Sequence, residues 1–429
     1  MIQAPKGTYD VLPSDQGARR TLRAHAERIL TAAGYSRIET PAFEPTELFS
    51  RGVGAATDIV QKEMYSFDDG AGRSLTLRPE GTAPVCRAYI EHGMHKLPAP
   101  VKLWYLSAFF RAENPQRGRY RQFWQVGAEV IGADSPEADA ELIVLLAELL
   151  EAMGVSGVRL RLASLGQPET RGAYRAELTE YLRANAASLS AEVRARIELN
   201  PMRAFDSSDP QTRAVMVGAP KLLDRLGPDD AEHFACVREL LDAAGIGYEI
   251  DPTLVRGLDY YTRTLFEFTS DSLGAQSGVG GGGRYDRLIE QLGGKSTPGV
   301  GWAAGVERIL LAAPDQPRAP ELVDLLVITA PAGDAPAAGP GGSGDDARAA
   351  RPAAFELARE ARRAGLAAQL ELTGRSLKSA LKHADRLGAR YVAIVNDSQQ
   401  ATLRDMAGGE QQELATGAVV AAILRGKRL

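Results

Sequence analysis

Apolar residues recur at helical spacing between residues 15 and 33, at Leu22, Ala26, Ile29 and Leu30, and the run stops at Gly34, which predicts an opening amphipathic helix. The period then changes. Between Val101 and Gly132 two segments alternate, KLWYLSAFFR and YRQFWQVGAEVIG, and the polar loop AENPQRGR between them predicts an antiparallel hairpin. Alternation puts Phe123, Gln125, Gly127 and Glu129 on one face of the second strand and Trp124, Val126, Ala128 and Val130 on the other. The second set makes a core face. The first, with a carboxylate, an amide and a glycine, suits either an ordinary solvated surface or the floor of a ligand site. Beyond the hairpin, Ser135 followed by Pro136, Glu137 and Asp139, with Gly154 as the stop, predicts a further helix.

From about Gln167 to Gly247 the texture turns to Ala, Leu, Arg and Glu at helical spacing, which reads as a helical insertion. Strand-like and Gly-rich segments resume at Tyr248 and run to GVGWAAGVERILL, whose end predicts a helix from Val306 to Leu311. Pro314, Pro317 and Pro320 then mark a linker. After it come a buried-type strand from Leu322 to Thr329 and a Pro/Gly/Ala-rich stretch from Ala330 to Pro352 whose composition predicts mobility. A helix (Ala353 to Ala364), a strand (Ala367 to Leu372), a helix (Ser376 to Leu387) and a strand (Tyr391 to Asn396) follow. The alternation predicts a small α/β domain with a largely parallel sheet. The expected division is a first domain over 1–320, with the insertion at about 167–247, and a second over 321–429.

A length of 429 residues exceeds what one core usually supports, and 44% hydrophobic with 24% charged residues is globular composition. The net charge of −5 gives no overall attraction to nucleic acid, so any such partner needs a local basic patch. Cys86 and Cys236 form no C-x-x-C, so neither a disulfide framework nor a zinc knuckle is expected, and a reducing compartment fits. No apolar run approaches the ~18 residues of a membrane span. The opening MIQAPKGTYD also lacks a secretory apolar core, and the expectation is a cytoplasmic protein. Of five histidines only His92 and His95 are close, at a spacing with no second acidic or thiol partner, so no metal site of the protein's own is expected.

Arg111, Arg117, Arg119 and Arg121 cluster at the hairpin tip. Guanidinium groups form planar bidentate pairs with phosphate, although a basic loop also serves simple solubility. The run Gly278 to Gly283 formally satisfies G-x-G-x-x-G. It follows polar SLGAQS instead of a buried strand and opens no βαβ unit, so a dinucleotide fold is not expected. Its glycines suit a strand passing close to a ligand, with Tyr285 beside it. Gly299, Gly301 and Gly305 suit close backbone approach, either for helix packing or for a ligand. No P-loop sequence is present.

Five segments stand in the order found in one known family. FRAENPQRGRYRQFWQVGAEVIG resembles motif 2 of histidyl-tRNA synthetases, TLRPEGTAPVCRAYIEHG the amino-acid-binding stretch upstream of it, LVRGLDYYTRTLFEF and GGGGRYDRLIEQLGG the two histidine signatures, and GVGWAAGVERILL motif 3. They lie between residues 75 and 311, and TPAFEPTELFSRGVG is similar to the motif 1 dimerisation region. The resemblance implies an α+β class II catalytic domain, an antiparallel sheet flanked by helices, with a C-terminal α/β anticodon-binding domain. It implies a homodimer that activates histidine with ATP and magnesium and charges tRNA.

Residue by residue, the resemblance places Glu80, Thr82 and Gln125 on the substrate's α-ammonium, and Glu129 and Tyr261 on its imidazole nitrogens, with Tyr260 and Tyr285 completing that pocket. Arg111 and Arg256 would flank the α-phosphate, and Arg308 would act on the adenine or γ-phosphate. Glu113, Arg119 and Phe123 would complete the ATP site, while Gln116 and Arg117 would meet the tRNA acceptor end. Read from the residues alone, Glu80 also suits an N-terminal helix charge and Tyr261 a core aromatic. Two positions depart from the family pattern: Asn114 removes an expected charge, and Trp124 replaces a common histidine. The alternatives to weigh are the synthetase-like regulatory subunit of ATP phosphoribosyltransferase and a class II synthetase of prolyl or glycyl type.

Overall fold

The computed structural model describes residues 2–54, 57–254, 257–274, 277–313, 323–329 and 344–426, with the backbone alone at 206 and 344–349. The chain forms two compact units, Met1–Pro317 and Arg318–Leu429.

The first unit is built on an eight-stranded sheet. Its spatial order is Ser36–Arg37, Val101–Phe110, Gln122–Ile131, Gly299–Gly305, Gly278–Arg284, Thr262–Ser270, Val158–Ser164 and Glu249–Ile250. Every pairing between the six inner strands is antiparallel, and each two-residue edge strand joins in parallel. The predicted hairpin is there, in a register that sets Tyr105 opposite Gly127 and Leu103 opposite Glu129. Val126, Ala128 and Val130 are buried against apolar residues of the helices Pro13–Ala32, Pro136–Ala152, Pro228–Ala243 and Val306–Ala312. The face of Gln125, Gly127 and Glu129 is covered too. Tyr105, Phe109, Tyr260, Leu265 and Tyr285 pack there with the helices Thr82–Glu91 and Pro168–Ala184. A solvated face is therefore not what the alternation encoded.

Ser135 holds the extended geometry of a helix N-cap, but its side chain makes no capping bond. Its carbonyl instead accepts from Arg284 Nη2 at 3.0 Å. The stretch 167–247 is helical, with Pro168–Ala184, Ala191–Arg196, Pro210–Val217 and Pro228–Ala243. It is not self-contained, because Phe234, Val237 and Leu241 of the last helix belong to the main core.

The second unit has a five-stranded sheet, in the order Ala368–Leu370, Leu325–Thr329, Tyr391–Val395, Gln400–Asp405 and Gln411–Ala415. The first three strands are parallel, and the last two are antiparallel additions that correct the expectation of a largely parallel sheet. The cause is a local turn: Asp397 Oδ1 accepts from the N–H groups of Gln399 and Gln400 and reverses the chain directly after the third parallel strand. The helix Gly344–Arg363 contains Pro352, so it starts earlier than the expected Ala353. Residues 330–343 of the stretch read as mobile lie outside the described residues, as does Leu322.

Candidate active site

A cavity of about 580 Å³ opens over the sheet, and Arg111, Glu113, Arg119, Phe123, Gln125 and Arg308 all line it. The hairpin positions the first five. Arg111 directly follows the first strand, its Nε donates to the Pro79 carbonyl at 2.9 Å, and its guanidinium lies 5.4 Å from the Phe123 ring centroid. Glu113 stands between two arginines, 3.6 Å from Arg111 and 2.9 Å from Arg119. Arg308 enters from the helix Val306–Ala312 and donates to the carbonyl of Gly278 on the facing strand. Burial and then the neighbouring Arg119 charge lower the Arg308 pKa. That mutual unfavourability marks a site that anions would relieve. Glu267 and Arg161 complete this wall as an ion pair at 3.1 Å.

The strand that brings Gln125 to the cavity also carries the centre of a buried polar cluster. Glu129 is wholly buried and accepts three hydroxyl donors: Thr82 Oγ1 at 2.8 Å and Tyr105 at 3.3 Å on Oε1, and Tyr285 at 2.7 Å on Oε2. Burial pushes its pKa up to about 8, against the lowering by Tyr285 and Thr82 and with a further push from Glu80. Two glycines make the cluster possible. A Cβ at Gly301 would lie 1.7 Å from Glu129 Oε2, and one at Gly127 would lie 2.3 Å from the Tyr105 ring. These positions are reserved for neighbouring side chains, a role distinct from the helix packing or ligand contact expected for such glycines. Gly282 likewise faces the backbone of Gly301, where a Cβ would approach the carbonyl oxygen to 1.9 Å.

Glu80 sits just before the helix Thr82–Glu91 and accepts from the N–H groups of Thr82 at 2.8 Å and Ala83 at 2.9 Å. It does act as an N-terminal helix charge, and Tyr260 reaches the same carboxylate at 3.4 Å. Burial raises the Glu80 pKa while the two backbone donors lower it. The segment is fixed in place by buried Arg78, which donates to the Ala108 carbonyl at 2.9 Å and to the Thr40 carbonyl at 2.6 Å. Tyr260 in turn packs edge-on to Tyr285 and Tyr261, with ring centroids 5.9 and 4.8 Å away.

The structure thus gathers Glu80, Thr82, Glu129, Tyr260 and Tyr285 into one contact network, and Gln125, which lines the cavity, stands four residues before Glu129 on the same strand. Gln125 Oε1 is buried and has no hydrogen-bond partner among the described residues. Such an atom carries an uncompensated desolvation cost and marks a place built for a donor. Tyr261 does not line the main cavity. It is a buried aromatic against Tyr260, beside a second cavity of about 250 Å³ that also involves Arg171, Arg175 and Arg287. Gln116 and Arg117 are exposed at the hairpin turn, where Gln116 bridges to Arg119. Arg256 falls outside the described residues, and Leu254, two positions before it, lines the main cavity. His92 and His95 are both exposed. Among the described residues no three His, Cys, Asp or Glu side chains form a candidate metal centre.

Sequence reasoning missed Tyr105, Arg161, Glu267 and Glu307, all on this site. Tyr105 was accessible in principle, since hairpin register pairs it with Gly127 and so puts it on the face of Glu129. Arg161 and Glu267 follow only from the order of strands in the sheet, and Glu307 directly precedes Arg308 on the helix Val306–Ala312.

Comparison with known proteins agrees with the geometry. Residues 7–309 match the family model described as Histidyl-tRNA synthetase, and residues 331–425 match one described as Anticodon binding domain. A Histidine--tRNA ligase of Thermosynechococcus vestitus is 46% identical over 415 residues, covering 96% of this chain and 93% of the relative. One from Desulforudis audaxviator is 44% identical over 438 residues and covers both chains fully, at 100%. A crystal structure of apo Staphylococcus aureus histidyl-tRNA synthetase superposes with a TM-score of 0.79 at 33% identity, covering 99% of this chain and 100% of that one. With its catalytic and anticodon-binding models both matched in order, the chain belongs to the histidyl-tRNA synthetase family.

Proposed function

We propose that this histidine–tRNA ligase binds ATP in the arginine-lined cavity and histidine at the junction of that cavity with the Glu129 cluster. The observation that carries the reading is Gln125 Oε1, a buried acceptor with no hydrogen-bond partner among the described residues, on a side chain that lines the cavity and shares its strand with Glu129. The substrate's α-ammonium would supply the missing donor, with Glu80 and Thr82 beside it. The imidazole would exchange one of the three hydroxyls on Glu129 for its own N–H. Tyr261 would take the second ring nitrogen after the segment carrying Tyr260 and Tyr261 turns toward the substrate. A pocket holding such groups rejects a side chain that cannot pair with them.

In the first step the histidine carboxylate attacks the α-phosphate and pyrophosphate leaves. Arg111 and Arg256 would stabilise the charge that builds there. Arg308 and Arg119 would hold the distal phosphates, and Phe123 the base. In the second step the terminal ribose hydroxyl of tRNA attacks the adenylate carbonyl and AMP leaves, with Gln116 and Arg117 guiding the acceptor end. No protein side chain is assigned as general base. Magnesium bound with the nucleotide is a hard cation that takes oxygen ligands, and Glu113 and Glu267 are the carboxylates on the cavity wall suited to offer them. Its contribution is neutralisation of phosphate charge. The motif 1 region is assigned to a homodimer interface, the second unit to the anticodon, and the cytoplasm to the protein as a whole.

The regulatory-subunit alternative is not favoured, because the curated relatives matched over nearly the whole chain are histidine–tRNA ligases. ATP–pyrophosphate exchange with a panel of amino acids tests the reading. Exchange with histidine alone, lost in Glu129→Ala and reduced about 10²–10³-fold in Arg256→Ala, is expected. Exchange with proline or glycine, or none with any amino acid, would overturn it.

A further inference from the structure

Residues 6–9 lie along the outside of the hairpin turn and are tied to it at several points. Arg121 N donates to the Gly7 carbonyl at 2.7 Å, and Arg121 Nη1 to that of Lys6 at 3.3 Å. Gly7 has a φ of +86°, and a Cβ there would come within 2.7 Å of Pro115 and 2.9 Å of Arg121. The Tyr9 ring packs on Tyr120 with centroids 4.5 Å apart, and Tyr120 lines the main cavity.

A second set of contacts reaches the other wall of that cavity. Tyr9 donates its hydroxyl to Glu307 Oε1 at 2.8 Å and accepts from Arg19 Nη2 at 2.5 Å. Arg19 Nη2 also meets Glu307 Oε1 at 2.7 Å, and Glu307 Oε2 accepts from Trp124 N at 3.0 Å. The Arg19 guanidinium lies 5.8 Å from the Trp124 ring, so the tryptophan that departs from the family pattern gives this arginine a flat partner. Glu307 is only 7% exposed, lines the cavity and immediately precedes Arg308. An uncompensated carboxylate there would repel phosphates and compete for the guanidinium groups meant to hold them.

We infer that Lys6–Tyr9 together with Arg19 form a strap that sets the nucleotide half of the site. Tyr9 and Arg19 are positioning residues for ATP: they neutralise Glu307, keep it turned away from the phosphates, and hold the Tyr120 side of the hairpin turn against the helix that carries Arg308. The inference rests on the assignment of this cavity to ATP.

The test measures ATP–pyrophosphate exchange, varying each substrate, together with ATP binding by calorimetry and the melting temperature. It uses the parent, Tyr9→Phe, Arg19→Met and the double variant Arg19→Met with Glu307→Gln. Loss of one hydrogen bond to a charged group in Tyr9→Phe is expected to weaken ATP by about three- to ten-fold, and loss of the compensating charge in Arg19→Met by about ten- to a hundred-fold. The KM for histidine should stay within about two-fold of the parent. Removing the carboxylate in the double variant should recover most of the ATP affinity, which a merely structural role for Arg19 would not produce. ATP affinity unchanged in both single variants, parallel losses for ATP, histidine and melting temperature, or no recovery in the double variant would each overturn the strap. Absence of histidine-dependent exchange in the parent removes the functional reading and the strap with it, whereas normal parent exchange beside unchanged ATP affinity in the variants removes the strap alone.

Discussion

At the scale of single residues, the site is recognisable by groups that are costly to the free protein. Gln125 Oε1 is buried without a partner among the described residues, and replacing a polar group that lacks one with an apolar side chain of similar size is neutral or stabilising. Gln125→Met should therefore melt no lower than the parent while its KM for histidine rises about ten- to a hundred-fold. A variant that melts lower with an unchanged KM would show that the amide serves the fold instead. Glu129 gives a pH-dependent counterpart. Burial lifts its pKa from 4.5 to about 8, so between those values the folded protein holds a proton that the unfolded chain has released. Stability is thus highest, as far as this group is concerned, below 4.5, declines as pH rises, and levels off above about 8. Glutamine does not titrate. The melting-temperature difference between Glu129→Gln and the parent should accordingly grow in favour of the variant from pH 5 to pH 8. A constant difference across that range would mean that the carboxyl is not held in its neutral form.

At the scale of elements, the strand Gly299–Gly305 shows how tightly the sheet and the site share space. Gly301 pairs with Glu129 across the ladder, and a methyl group there would overlap the Glu129 carboxylate. Gly301→Ala should displace that carboxylate and reduce histidine-dependent exchange at least about a hundred-fold, with a lower melting temperature. Exchange near the parent level would show that the strand can shift without cost to the site. The hairpin's two faces could be read from the alternation of YRQFWQVGAEVIG alone, because its period of two matches a real strand with both faces committed. The helix beginning at Pro136 was also legible, since proline and the first-turn acids are local signals. What stayed hidden depended on distant chain segments. Glu307 meets Tyr9 and Arg19 across almost 300 positions of sequence, as a separation of 298 for Tyr9 shows. The antiparallel end of the second sheet was missed for the opposite reason: it hinges on one Asp397 turn, a signal too short to stand out beside three alternating strands and helices.

At the scale of the whole molecule, a net charge of −5 has to be reconciled with a polyanionic substrate. Attraction to tRNA must then come from local basic surfaces, and the second unit offers one on the helix Leu377–Arg386. Lys378, Lys382 and Arg386 are exposed there, while Ala380 and Ala384 face the apolar core. On the proposed reading recognition and chemistry are separated, because the arginines of the cavity assigned to ATP belong to the first unit, with its own cores. Lys378→Ala with Lys382→Ala should raise the KM for tRNA in aminoacylation while leaving ATP–pyrophosphate exchange within about two-fold of the parent. Each lost phosphate contact should also flatten the dependence of log KM on log salt by about 0.7–0.9, so the doubly substituted protein should approach the parent as salt rises. An unchanged salt slope would place the tRNA contacts of this unit on a different surface, and an equal loss in pyrophosphate exchange would show that the lysines support the fold.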